Sequence, residues 1–156
     1  MDLTGLPQVV DWMFGLRPFR PQNFLLETTT VAEACALSTV CWPNFTEYRG
    51  CVILEWKFSR ENVDLWLAEL DGDTSAVEQV VNHVHLWETI GANGPVEQSA
   101  VEWLANRIGS MWQSRLREEF PGRRFVVTVS NEPTDYGPTV SFRSAETGDD
   151  PSRGVR

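Results

Sequence analysis

Lysine is nearly absent from this 156-residue chain: Lys57 is the only one, and the other twelve basic residues are arginines. Histidine occurs twice, as His83 and His85, and cysteine three times, as Cys35, Cys41 and Cys51. These few groups lack the paired spacing of a zinc knuckle, so the sequence predicts no metal and no cofactor. An odd number of unevenly spaced cysteines also argues against a secreted disulfide framework and predicts reduced thiols in a cytoplasmic protein. No apolar run approaches the length that crosses a bilayer, and the segment from Met1 to Gly5 lacks the basic start of a signal peptide. No membrane partner is therefore expected. A glycine-rich phosphate loop and a serine elbow are both missing. Asp71, Asp73 and Ser75 imitate a calcium loop, but Ala76 stands where glycine is required and Asn82 where the bidentate glutamate belongs. The preference for arginine over lysine fits a GC-rich bacterial coding sequence.

What the chain has in excess is tryptophan and acid. Its seven tryptophans exceed what a core of this size needs, so some must lie at a surface, a pocket or an interface. The net charge is −9, and it is unevenly placed. Residues 27–103 hold thirteen acids against Arg49, Lys57 and Arg60, a balance of −10, whereas residues 104–124 are net basic at +3. Such a field repels phosphates and excludes nonspecific nucleic-acid binding. It suits a cationic protein partner, or simply solubility.

Proline and glycine divide the chain. Residues 1–22 read as an apolar, proline-punctuated arm carrying Trp12, Met13, Phe14 and Phe19, with Asn23 to Glu27 as a strand. Thr30 and Glu33 form a capping box that opens a helix with Val31, Ala34, Cys35, Ser38 and Cys41 on one face. After a polar loop, Cys51 to Phe58 alternates as a strand with Val52, Leu54, Trp56 and Phe58 on its apolar side. Ser59 caps a helix with Val63, Trp66, Leu67 and Leu70 at helical spacing. Ser75 and Glu78 read as a second capping box, opening a helix that runs to Trp87. Pro95 starts the longest helix, which reaches Phe120. Phe125–Ser130 and Thr139–Arg143 form a hairpin, and residues 144–156 have the composition of a disordered tail. Helices that cluster rather than alternate with strands predict an α+β domain over residues 23–143, with an antiparallel sheet of three to four strands and about four helices.

No complete catalytic set emerges, so the sequence reads more readily as non-enzymatic and names no catalytic residue. On one continuous helix His83 and His85 lie about 160° apart, on opposite flanks of the apolar face. Glu88 falls among Val77, Val81 and Val84, where a carboxylate needs an arginine partner, an exit to solvent, or a raised pKa in a pocket. Candidate ligand or partner residues are therefore Trp12, Phe14, Trp56, Trp66, His83, His85, Trp87 and Glu88. Arg115, Arg117, Arg123 and Arg124 form a basic patch, favoured by the helix C-terminus beside it. The expected function is binding of a cationic protein through the acidic surface and exposed aromatics, in the manner of an inhibitor or immunity-like neutraliser. A tryptophan-lined small-molecule or enzyme pocket near His83, His85 and Glu88 is the alternative. A self-associating subunit, such as a homodimer, is the third.

Overall fold

A computed structural model describes residues 1–14, 18–131 and 137–145 of the chain. The fold is α+β. Three N-terminal helices, α1 (Pro7–Trp12), α2 (Pro21–Thr28) and α3 (Val31–Cys41), precede a hairpin of β1 (Phe45–Tyr48) and β2 (Cys51–Leu54). Helices α4 (Arg60–Glu69) and α5 (Thr74–Val81) follow, then a short β3 (Val84–His85) and α6 (Leu86–Thr89). The 25-residue α7 (Pro95–Glu119) leads into β4 (Phe125–Ser130) and β5 (Thr139–Ser144). The strands divide into two antiparallel sheets, β1–β2 and β3–β5–β4.

Strand β2 is buried on both faces. Val52 and Leu54 join the main core, formed with Ile108, Trp112 and Leu116 of α7 and with Val127, Val140 and Phe142 of the larger sheet. Cys51 and Ile53 point the other way, to Val63 of α4 and to Val77 and Val81 of α5. The period-2 alternation of a strand thus feeds two cores from four residues. Gly109 sits mid-helix in α7, where glycine costs about 1 kcal/mol against alanine. Its place is explained by β4: a Cβ there would lie 2.6 Å from Val129 Cγ2.

Two polar side chains one turn apart on α5 join the sheets. Glu78 is fully buried. Its Oε1 accepts from the Val52 amide at 2.7 Å and the Ser144 hydroxyl at 3.1 Å, and Oε2 accepts from the Ser144 amide. Asn82, also fully buried, accepts from the Leu54 amide at 2.9 Å and donates to the carbonyls of Val52 at 2.9 Å and Phe142 at 3.5 Å. Position 52 is thereby matched with 144, and 54 with 142. That is the register of an antiparallel pair, with two side chains inserted where direct backbone bonds would run.

The structure corrects several expectations. Asn23–Glu27 is part of helix α2, because Pro21 at its first position presets the helical φ and leaves no donor unpaired. The loop after residue 44 contains strand β1, paired from Phe45↔Leu54 to Tyr48↔Cys51. Strand β2 stops at Leu54, and Glu55–Lys57 turns as a 3-10 helix. Ser75 and Glu78 do not form a capping box. Asp73 caps α5 through the Ala76 amide, and the Glu78 carboxylate is committed to the sheets. The helix expected to reach Trp87 ends at Val81, because Val84 and His85 pair with Val140 and Thr139 of β5. The expected apolar face of α3 is not a core face: Val40 is its single buried residue. Of the expected tail, Ser144 belongs to β5 and the Ala145 amide donates to the Arg124 carbonyl. Residues 146–156 lie outside the described residues.

Other boundaries stand as expected. The Thr30–Glu33 box has both reciprocal bonds, Ser59 caps α4, Pro95 opens α7, and β4 pairs β5 from Phe125↔Ser144 to Ser130↔Thr139.

Replacing Glu78 with Gln sets an amide NH₂ against one of two buried backbone donors and should cost about 2–3 kcal/mol, read by denaturant titration. Burial pushes the Glu78 carboxyl above its ordinary value, although the Val52 and Ser144 donors and Arg123 oppose this. The folded state therefore holds this proton more tightly than the unfolded chain, and the group's stabilising contribution is lost as pH rises through the raised pKa. The margin of the wild type over E78Q should shrink as pH rises above the ordinary glutamate range, and a margin that grows would refute the upward shift.

Candidate functional site

The first layer to consider is N-terminal. Helix α2 has no buried residue. Trp12 packs edge-on against Phe19 and Phe24 at centroid distances of 6.4 and 5.8 Å, and its indole N–H donates to Glu27 at 2.9 Å. The arm thus folds onto α2, with Trp12 half-buried. Phe14 is 94% exposed, Leu26 84% and Val31 82%. The layer is tied to the body at a few points. The Trp112 indole donates to the Val40 carbonyl at 2.8 Å, Arg115 Nε donates to the Pro43 carbonyl at 3.3 Å, and Gln8 donates to Glu97 at the start of α7.

Between α2, α3 and the end of α6 lies a groove of about 780 Å³. Leu25, Ala34, Leu37, Val40, Cys41 and Ile90 supply most of its apolar wall, and Glu33 is the one charged side chain lining it among the described residues. None of these residues was singled out as a ligand site from the sequence. The available signal was α3 itself, a capped helix with alanines, valines and a leucine but almost no charge.

A smaller pocket of about 230 Å³ is lined by Trp56, Lys57, Val84, His85, Glu88 and Thr89. It brings together three predicted residues, Trp56, His85 and Glu88. His83 adjoins it, with its ring 4.5 Å from that of His85. The expected separation of the histidines is overturned. Positions i and i+2 of extended backbone project to the same side, whereas on a helix they diverge. The Thr139 hydroxyl donates to the Gly137 carbonyl at 3.1 Å and lies 3.2 Å from His85 Nδ1. Lys57 donates to the His83 carbonyl. Partial desolvation lowers the Lys57 pKa, and the Glu88 charge opposes this. Glu88 is exposed on α6 rather than set in an apolar face, since the helix that would have placed it there ends before β3.

The remaining predicted residues lie elsewhere. Trp87 is half-exposed and covers Gly137. Trp66 packs on the smaller core with α4.

The four arginines of the basic patch are placed differently. Arg123 reaches inward to the Ser144 hydroxyl at 2.9 Å, the Gly50 carbonyl at 3.1 Å and Glu78 at 3.5 Å. A buried carboxylate needs that neighbour more than the surface does. Arg115 pairs with Glu119 and lies 6.0 Å over Trp42. Arg117 and Arg124 remain exposed.

Among the described residues, no three His, Cys, Asp or Glu side chains are grouped to hold a metal ion. All three thiols are free. Burial, with the Glu78 charge, pushes the Cys51 thiol up to about 11, so it carries little thiolate at neutral pH. No helix among the described residues is long and apolar enough to cross a membrane. No family model matches the chain, and comparisons with curated proteins and with solved structures likewise give no match. The functional reading therefore rests on this geometry.

Gly137 has φ +91° and faces the Trp87 ring so closely that a Cβ would collide with it. Gly137→Ala should displace Trp87 from this contact. A left-handed alanine costs about 1–2 kcal/mol, which should lower Tm by roughly 3–6 °C in a scan of the variant.

Proposed function

We propose that this chain is a non-enzymatic protein-binding domain, acting in the cytoplasm of a bacterium, that takes a cationic protein on its N-terminal layer. An inhibitor or immunity-like neutraliser of a basic protein fits that description. The observation that carries the reading is the groove of about 780 Å³, two of whose lining residues, Leu25 and Leu37, stand about half in solvent. Clustered apolar side chains of this kind mark interaction surfaces more often than isolated ones do. The acidic balance of residues 27–103, with Arg115 and Arg123 neutralised by their own glutamates, gives an approaching cation a favourable field.

Leu37 is half-exposed, so Leu37→Asp should leave the fold intact while spoiling the groove. In parallel captures with wild-type and Leu37→Asp bait, a basic partner should be retained only by the wild type and released by moderate salt. Retention of nothing, or equal retention by both baits, would sink the reading.

A second reading is favoured by one observation: Lys57, His85 and Glu88 set a cation, an imidazole and a carboxylate around the half-exposed Trp56. A space of about 230 Å³ with both charge signs suits a small zwitterion such as a free amino acid. Calorimetric titration of free amino acids into the protein should then show heat that Lys57→Ala abolishes, and a flat titration would remove this reading.

A further inference from the structure

We infer that the occupant of the α2–α3–α6 groove is an amphipathic helix of about three turns, with an apolar ridge flanked by lysine or arginine. The inference rests on the binding-domain reading and narrows it to one partner conformation.

The first argument is backbone satisfaction. The groove is walled by helices, whose N–H and C=O groups are paired along their own axes except at the ends. It therefore offers no ladder to an extended segment, which would have to bury unpaired backbone groups at a cost of about 1–3 kcal/mol each. A helix arrives with its backbone already satisfied. The inner edge of β2, the strand at the centre of the fold, is likewise closed to an added strand by Glu78 and Asn82.

The second argument is shape. Ala34, Ser38 and Cys41 line the groove at i, i+4 and i+7 of α3, a row of small side chains beside the taller Leu37 and opposite Leu25. Such a row forms a furrow along which a second helix can lie at the usual interaxial distance of about 8–10 Å. The eleven residues of α3 span about 16 Å, which matches anchors at i, i+3 or i+4, and i+7 of the partner.

The third argument is charge. Glu33 lines the groove, Glu27 precedes its Thr28 and Glu88 precedes its Thr89, while no lysine or arginine lines it among the described residues. A helix carrying glutamates beside its ridge would meet like charges, and one carrying lysines would meet opposite ones. The same consideration disfavours a second copy of this chain, whose net charge is −9.

The test uses the full chain and three labelled peptides of about 14 residues, followed by fluorescence polarisation. One has leucines at helical spacing with lysines between them, the second has the same composition broken by two central prolines, and the third carries glutamate for lysine. The first should bind, and the second and third should bind at least about tenfold more weakly. Leu37→Asp should weaken the first peptide by a similar factor with an unchanged melting curve, and Glu33→Gln, which removes the charge but can keep the capping bond to Thr30, should weaken it by less. Equal binding of the proline-broken peptide would overturn the helix while leaving the binding-domain reading standing. Failure of all three at about millimolar concentration would overturn the inference, and the capture experiment with Leu37→Asp would still judge the broader reading. A dimer in sedimentation that Leu37→Asp dissociates would give the groove to a second copy and overturn the basic helix.

Discussion

The architecture depends on a pair of polar side chains inserted between two sheets. Glu78 and Asn82 are one helical turn apart on α5, so their heads sit about 5–6 Å apart along its axis. That spacing lets Glu78 join Val52 to Ser144, and Asn82 join Val52 and Leu54 to Phe142. The carboxylate takes amides from both strands, and the amide group gives and takes on β2 while reaching Phe142. Without them, Val52 and Leu54 would hold buried backbone groups with no partner, and the smaller hairpin would keep polar ties only near its turn, from Arg123 to Gly50 and Glu47 and from Tyr48 and Arg49 to Asp64. Apolar contact is non-directional, so it cannot set a register. The polar pair can, and it holds 52 opposite 144 and 54 opposite 142.

This arrangement fixes the disposition of the rest. Because β2 is held between α5 and the larger sheet, its four residues can be buried on both faces and divide between two cores. A carboxylate at the centre of that arrangement requires a cation nearby, and Arg123 supplies it from the turn between α7 and β4. Recruiting Arg123 removes a positive charge from the surface at the one place where the sequence concentrates them. Arg115 is consumed likewise by Glu119 and Trp42. Each pairing withdraws an acid together with the arginine, so of the four clustered cations Arg117 and Arg124 are the exposed ones.

How much of this was legible depended on whether a signal was local. Pro95, the Thr30–Glu33 box, Ser59 and the Phe125–Ser130 alternation act within a few residues of themselves, and each marks the element it announced. Glu78 shows the limit. Three residues after Ser75 it satisfies the capping-box spacing, but the same carboxylate can accept from any amide, and the donors that claim it are 26 and 66 residues away in sequence. The run from Val77 to Trp87 keeps a helical period, yet the open edge of β5 offers Val84 and His85 two strand partners, and tertiary pairing overrides the local pattern. That change moved His83 and His85 from opposite sides to one side and moved Glu88 from a core face to the surface. Trp56, Lys57 and Glu88 meet only because β2 turns at Glu55, a bend no periodicity encodes.

The candidate groove belongs to the same logic. Amphipathic spacing in α3 was visible, but spacing alone does not say whether an apolar face meets the chain's own core or remains outside it. The deciding fact is where the helix is tethered. Trp112 binds the Val40 carbonyl and Arg115 binds that of Pro43, so the body holds α3 by its C-terminal end. From that anchor the helix projects with α2 beside it, and Ala34, Leu37 and Ser38 line a groove instead of a core. Only the C-terminal turn of α3 reaches the main core, through Val40 and Cys41, while α4, α5 and α7 supply most of the helical packing. An apolar helix buried at one end through Val40 and capped at the other by its own threonine and glutamate holds its N-terminal turns clear of the core. It is therefore available, in a preorganised state, to whatever the acidic rim attracts.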